Sequence, residues 1–295
     1  MGKELRFGVY SIQNVPWDHM VGRWQYVEEL GFDSVWLANH FVDFTAPSFP
    51  WFESWTMLAG LATQTSRIRI GTLVTAIPFR NPAFLARQAL TVDHLSNGRL
   101  ELGLGTGVLG EPSYAMTGIE DWTRLERTSR FREAVVLVDQ LLRNETTTFR
   151  GRYYQVNDAV MRPGPVQTPR PPITIAANGP TMLEIAALYA DTFNLIWAPG
   201  RPLDDMLKAT RERVNLIEDH CKGVGRDPAS LGRSLLMFRS GMNTAYDSVD
   251  AFEDEVGRFA EAGIDEFIFP FPPADDHSAV FERITTDAIP KLRRQ

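Results

Sequence analysis

The sequence predicts an α/β protein, a single (β/α)8 TIM barrel over residues 1–295, and three observations carry that expectation. Short apolar runs alternate with helical patterns eight times. The runs are apolar at nearly every position, as parallel strands covered by helices on both faces are. One segment, residues 146–172, interrupts the alternation and is too short for a core of its own, so it reads as an insertion before strand five. A doubly wound open sheet would alternate in the same way. Eight units, running from a first strand to a last helix, favour closure.

The unit that organises the chain is Arg67–Gly107, RIRIGTLVTAIPFRNPAFLARQALTVDHLSNGRLELGLGTG. Arg67–Ala76 and Leu100–Leu104 read as buried strands three and four. Between them, Ala83, Leu85, Ala86, Ala89, Leu90, Val92 and Leu95 keep helical spacing over 81–95. Pro82 suits a first helical turn, and Asn97-Gly98 ends the helix because glycine accepts a left-handed backbone. Upstream, Arg6–Ile12 is a strand and Trp17–Leu30 a helix stopped by Gly31. Ser34–Asn39 is a second strand with His40 at its end. An aromatic loop, 41–55, leads to a helix over 55–65.

Downstream, 108–122 reads as a loop and Leu125–Arg143 as a helix. Residues 146–172 alternate like a hairpin around Gly151 and end in a proline-rich run. Strands follow at Ile173–Ala177, Thr192–Ala198, Leu231–Ser240 and Glu266–Phe271. Helices separate them at 181–190, 203–221 and 249–262, and a last helix covers 277–292.

Composition bounds the function. With 44% hydrophobic and 23% charged residues the chain reads as globular. A formal charge of −7 disfavours a nucleic-acid partner, which needs a basic surface. No apolar run is long enough to span a bilayer. The start, MGKELRFGVYSI, lacks the order of a signal peptide. Cys221 is the single cysteine, so neither an internal disulfide nor a cysteine metal centre is available. The expectation is a cytoplasmic enzyme acting on a small-molecule substrate, without a metal and without nucleic-acid or membrane partners.

A barrel of this class carries its site at the carboxyl ends of the strands. Those positions are Gln13 and Asn14; Asn39, His40 and Phe44; Thr75, Ala76 and Arg80; Gly105, Thr106, Gly107 and Glu111; Ala177, Asn178, Gly179 and Thr181; Trp197; Arg239 and Ser240; and 270–273. They hold no metal-ligand cluster, serine elbow or phosphate loop. They are apolar and aromatic with a few hydrogen-bonding groups, which suits a large planar cofactor that brings its own chemistry. Gly103–Gly107 would let backbone approach a ligand, and the 176–181 turn opens a helix whose N–H groups can hold a phosphate. Both stretches read equally as tight barrel turns.

Here the chain resembles the luciferase-like flavin monooxygenase superfamily, and within it the members that use the deazaflavin coenzyme F-420. The likeness rests on IRIGTLVT, on RNPAFLARQALTVDHLSNGRLELGLGTG and on ITIAANGPTMLEIAALYADTFNLIW, and it covers nearly the whole chain. The resemblance implies a ring lying across the strand ends. It is backed by a non-proline cis peptide or bulge at Leu73, Val74 and Thr75. It implies a phosphate site at Ala177, Asn178, Gly179 and Thr181, with Gly105, Thr106 and Gly107 along the cofactor, Asn39 beside it and Trp197 as a pocket wall. His40 matches the histidine beside the reactive ring carbon in deazaflavin-dependent relatives, and a histidine suits proton transfer near neutral pH. Its bland alternative is a structural histidine at a strand end.

The sugar-phosphate dehydrogenase branch carries acids where this chain has Asn39, Val108 and Gln13, and a tryptophan where it has Phe44. Glu111 is the nearest substitute acid and a second catalytic candidate, its alternative being a solvated loop glutamate. Phe41, Phe44, Phe49, Trp51, Phe52, Trp122, Phe271 and Pro272 make an apolar substrate mouth, or simply pack over the barrel top. The leading expectation is hydride transfer between coenzyme F-420 and a small apolar organic substrate. The alternatives are a two-component monooxygenase using reduced FMN and oxygen, with a separate flavin or deazaflavin reductase as partner, and a non-catalytic flavin-binding protein. Apolar helices of the first half, over 55–65 and 81–95, point to a homodimer.

Overall fold

The computed structural model describes residues 4–43, 46–197, 200–238, 246–272 and 278–294. The expected positions Phe44, Arg239, Ser240 and Pro273 lie outside them. The strands are β1 (Arg6–Tyr10), β2 (Ser34–Leu37), β3 (Arg69–Thr72) with its short continuation β4 (Thr75–Ala76), and β5 (Leu100–Gly105). An outlying hairpin, β6 (Thr146–Arg150) and β7 (Gln155–Val160), precedes β8 (Ile173–Ala176), β9 (Thr192–Ile196), β10 (Gly232–Leu236) and β11 (Glu266–Pro270). Around the barrel the order is β3-β2-β1-β11-β10-β9-β8-β5, all parallel, and β3 pairs with β5 through Ile70–Leu100 and Gly71–Glu101 to close it.

The helices are α1 (Trp17–Glu29), α2 (Ser54–Leu61), α3 (Pro82–Leu95), α4 (Pro112–Thr117), α5 (Arg124–Arg143), α6 (Pro180–Tyr189), α7 (Leu203–Gly223), α8 (Val249–Glu261), α9 (Ser278–Arg283) and α10 (Ile289–Leu292). In α3 the predicted signals operate. The Asn81 side chain accepts the N–H groups of Ala83 and Phe84, and Pro82 opens the first turn. Positive φ at Asn97 and Gly98 ends the helix. Among the described residues no helix is long and apolar enough to cross a membrane.

Period-two alternation sorts each strand between two cores. Phe7, Val9, Val35, Leu37, Leu235, Phe267 and Phe269 face the helices in the large outer core. Tyr10, Trp36, Ala38, Leu73, Leu236 and Ile268 form a smaller apolar cluster inside the barrel. Below that cluster, at the amino-terminal end of the barrel, Glu101 is bound by Arg6 at 2.8 Å and by Arg69, and Glu266 lies 3.5 Å from Arg6. Burial pushes the Glu266 carboxyl up to about 7, with Arg6 opposing and Glu101 reinforcing the rise.

The structure differs from expectation at three elements. Strand three, read from its apolar run as continuous to Ala76, is broken at residues 73–74, and the Leu73–Val74 peptide there is cis, as the family resemblance implies. The 108–122 loop contains α4, begun by Pro112 at its first position. The last helix is divided by a π-type turn, Ile284–Ala288, because Pro290 has no N–H to donate to the carbonyl one turn back. The hairpin segment is tied to the scaffold. Buried Asp93 on α3 accepts the Val166 N–H at 2.7 Å and the Gln167 side-chain amide at 2.8 Å, and buried Arg170 pairs with Asp139 and Asp191.

Candidate active site

A cavity of about 940 Å3 opens at the carboxyl ends of the strands. The strand register builds it. Inward positions continue two by two off each strand end: Tyr10 and Ile12, Ala38 and His40, Gly105 and Gly107, Ala176 and Asn178, Asn194 and Ile196, Leu236 and Phe238. Asn39, Leu73, Val74, Ala76, Thr106, Gly179 and Thr181 complete the sequence-predicted set in the lining, and Trp51, Val108 and Leu109 reach in from loops. Burial, with Asp43 assisting, raises the Tyr10 hydroxyl far above its usual range, so it is a neutral wall of the site.

The same register excludes three expected residues. Trp197 follows the inward Ile196 and so faces outward. Its ring is fully buried 5.3 Å from Phe259, and its Nε1 donates to the Arg201 carbonyl, so it is not a pocket wall. Ala177 lies between inward Ala176 and Asn178, is buried, and donates its N–H to the Asn194 carbonyl. Thr75 sits behind the lining, its hydroxyl 2.6 Å from that of Thr72 and accepting from Trp55 Nε1 at 3.1 Å.

Residues 73–76 are held by their neighbours. The Ala76 N–H donates to Asn39 Oδ1 at 3.0 Å, and Asn39 Nδ2 donates to Ser54. Asn39 therefore locks the bulged strand to β2 while edging the cavity. The glycines of β5 have a different role from the one expected. A Cβ on Gly103 would lie 1.9 Å from the Thr72 carbonyl oxygen, and one on Gly105 would lie 2.4 Å from a Val74 methyl. They make room for the bulge, and Gly105 also lines the cavity. Gly107 has φ of +78°, and its open face is filled by the Tyr114 hydroxyl. Arg127 pins this turn by donating to the Thr106 carbonyl at 3.1 Å.

His40 is held from two sides. Trp51 Nε1 donates to its carbonyl at 2.9 Å, and its Nδ1 lies 2.9 Å from Glu111 Oε1. The Glu111 side chain is fully buried and also accepts the Ser113 hydroxyl at 2.6 Å, which overturns the solvated-loop reading of this residue. An ionised carboxylate can only accept. The contact through Nδ1 therefore fixes the orientation of the imidazole ring against the buried carboxylate.

Across the cavity, α6 begins at Gly179, which has no side chain to cap the first-turn N–H groups, and a Cβ there would meet open space. Free N–H groups and a positive helix end suit a phosphate. Arg213 Nε donates to the Asn178 carbonyl at 2.9 Å and fixes the approach to this turn. A bulge-backed floor, a histidine–carboxylate pair and an open helix start therefore fit a phosphate-bearing planar coenzyme. Among the described residues no group of His, Cys, Asp or Glu could hold a metal ion.

The aromatic mouth divides. Trp51 lines the cavity, and Phe41, Phe49 and Phe52 are exposed. Trp122 instead lies under the Arg130 guanidinium at 4.2 Å, and Phe271 packs on Phe281. The inward residues Ile12, Asn194, Ile196, Leu236 and Phe238 were not among the expected site residues. Counting in twos from the strand centres would have found them.

An F-420-dependent glucose-6-phosphate dehydrogenase of Amycolatopsis mediterranei is 35% identical over 206 residues, which cover 68% of this chain and 60% of that relative. The chain thus spans about three fifths of that relative's length. An F-420-dependent hydroxymycolic acid dehydrogenase of Mycobacterium tuberculosis is 29% identical over 88% of this chain and 68% of its own. The structure of an F-420-dependent secondary alcohol dehydrogenase in complex with an F-420–acetone adduct superposes with a TM-score of 0.83 at 19% identity, covering 96% of this chain and 98% of the other. That likeness is one of fold. Residues 5–277 match the model for the luciferase-like monooxygenases. With that match spanning barrel, insertion and site, the chain belongs to the luciferase-like monooxygenase family.

Proposed function

We propose that this protein is an oxidoreductase that transfers a hydride between the deazaflavin coenzyme F-420 and a small, apolar organic substrate. The observation that carries the reading is His40, fixed by Glu111 at the edge of a large cavity whose floor is the 73–76 bulge. The F-420 dependence named for relatives supports the coenzyme. When bound, the coenzyme supplies a ring carbon that takes or gives a hydride. Leu73 and Val74 would back the ring, Thr106 and Gly107 would flank it, and Asn178, Gly179 and Thr181 would hold its phosphate. His40 would carry the proton that accompanies the hydride, with Glu111 holding the ring in one orientation.

Sugar phosphate is a poor fit as substrate. Asn39, Val108 and Gln13 stand where the sugar-phosphate branch has acids, and Gln13 is buried with its amide donating to the Ala38 carbonyl. The cavity lining includes the apolar side chains of Tyr10, Trp51, Val108 and Leu109 beside charged Asp43, Arg124 and Arg127. Its apolar part supports a second reading, reduced FMN reacting with oxygen, because apolar walls would help shield a reactive intermediate from water. In that case a separate reductase would be a partner. A homodimer through the outer faces of α2 and α3 is part of the proposal, and light scattering at working concentration tests it.

Equilibrium binding separates the readings. The proposal expects F-420 to bind more tightly than FMN, and coenzyme reduction to require an alcohol-type donor. Preference for reduced FMN, with oxygen uptake, would favour the second reading. Binding of neither would overturn both.

A further inference from the structure

We propose that Arg127 is a positioning residue for the His40–Glu111 pair: its guanidinium gathers both flanks of Glu111 onto α5 and so sets where the carboxylate meets the imidazole. The inference rests on the hydride-transfer reading for the role of His40 and adds a residue that acts through another. Glu111 comes from the stretch between β5 and α5, which has only the short helix α4 to stiffen it. The carboxylate cannot hold that stretch by itself. Oε1 takes both the His40 and the Ser113 contacts, Oε2 is buried without a partner among the described residues, and the side chain caps no N–H of α4. The place of the carboxylate therefore follows the place of its backbone.

Arg127 fixes that backbone from the first turn of α5, with its side chain 3% exposed. Nε donates to the Trp122 carbonyl at 2.8 Å, and Nη1 donates to the Tyr114 hydroxyl at 3.0 Å as well as to the Thr106 carbonyl. Nη2 pairs with Asp121, whose other oxygen accepts the Gly110 N–H at 3.0 Å. Gly110 precedes Glu111, and the Tyr114 N–H donates to the Glu111 carbonyl at 3.2 Å, so both sides of Glu111 lead back to one guanidinium. The guanidinium also lies 4.7 Å from the centre of the Tyr114 ring, which stacks on Phe79 at 5.2 Å and seats α4 against the turn after β4. These partners stand on several sides of a planar fork. A lysine would keep the charge, but its donors sit on one atom and cannot serve them together. Arg127 also lines the cavity, so direct contact with the coenzyme is the rival role.

The test is the nitrogen NMR spectrum of protein carrying isotope-labelled histidine, recorded without and with F-420. The chain has five histidines, and H40A identifies the ring signals of His40. E111Q shows where the Nδ1 signal goes when the carboxylate is lost. R127K should move that signal toward its E111Q position while F-420 affinity stays near the wild-type value. The double variant R127K/E111Q should coincide with E111Q, because a residue that acts through Glu111 then has nothing left to move. A His40 signal at the wild-type position in R127K would overturn the proposal, as would a double variant displaced beyond E111Q. F-420 affinity lost in R127K with the His40 signal unmoved would make Arg127 a coenzyme contact instead. Should R127K fail to fold, Y114F removes only the hydroxyl that Arg127 holds, with the same direction expected, and an unmoved signal there would overturn the proposal. Failure of the wild-type protein to bind F-420 would overturn the hydride-transfer reading alone, because the spectrum of the unloaded protein reads the pair directly.

Discussion

Replacing Glu266 by glutamine should make the protein more stable at pH 8 and leave it nearly unchanged at pH 4.5. Glu266 is 2% exposed, its carboxyl is raised from 4.5 to about 7 chiefly by burial, and Arg6 at 3.5 Å compensates only in part because it also serves Glu101. A raised folded-state value means that the folded protein holds the proton more tightly than the unfolded chain. Stability is therefore full below about pH 4.5 and is lost as pH rises toward and through about 7. One unit corresponds to about 1.4 kcal/mol, so above pH 7 the ionised group costs on the order of 3 kcal/mol. Glutamine has nearly the same shape and never ionises. Glu101, whose value is lowered by Arg6 and Arg69 against burial, has the opposite sign and stays in both proteins. The assay is urea unfolding of both proteins at pH 4.5, 6, 7 and 8. The expected gain at pH 8 is on the order of 3 kcal/mol in unfolding free energy, shrinking to zero at the acid end. A variant less stable than wild type at pH 8, or a difference independent of pH, would refute the reasoning.

Other substitutions test the site. H40A should lower kcat about 100-fold or more while F-420 affinity stays within a few-fold, and E111Q should give a smaller loss of kcat with unchanged KM, both read by coenzyme absorbance. An H40A enzyme with full kcat would remove the proton role. N39A leaves the buried Ala76 N–H without its acceptor and should cost about 1–3 kcal/mol in urea unfolding, with weaker coenzyme binding. G103A forces a Cβ against the Thr72 carbonyl and should cost about 1–3 kcal/mol or prevent folding, whereas G179A meets open space and should leave stability within about 0.5 kcal/mol.

Much of the barrel was legible because both periods are plain. Leu85, Ala86, Ala89 and Leu90 keep helical spacing and are buried as that spacing requires. The site was legible where a residue ends a strand in the inward register, as His40, Gly105 and Asn178 do. It failed at Trp197 and Ala177, because a strand end fixes a residue's height in the barrel but not its face, and a shift of one position turns the side chain outward. Glu111 shows another limit. Its burial depends on α4, a helix of six residues within a stretch that carries no strong periodicity, and on His40, 71 positions away. The tight contacts of Gly103 and Gly105 with residues 72 and 74 are likewise set by the interruption of β3 and are invisible in spacing alone.

The central claim is that the cavity at the strand ends holds a deazaflavin. Titration of the purified protein with oxidised F-420 and with FMN, followed by fluorescence, tests it most directly. The account predicts saturable F-420 binding, at least tenfold tighter than FMN, that weakens when Thr181 and Asn178 are both replaced by alanine. No F-420 binding, or equal binding by wild type and the N178A/T181A variant, would contradict it.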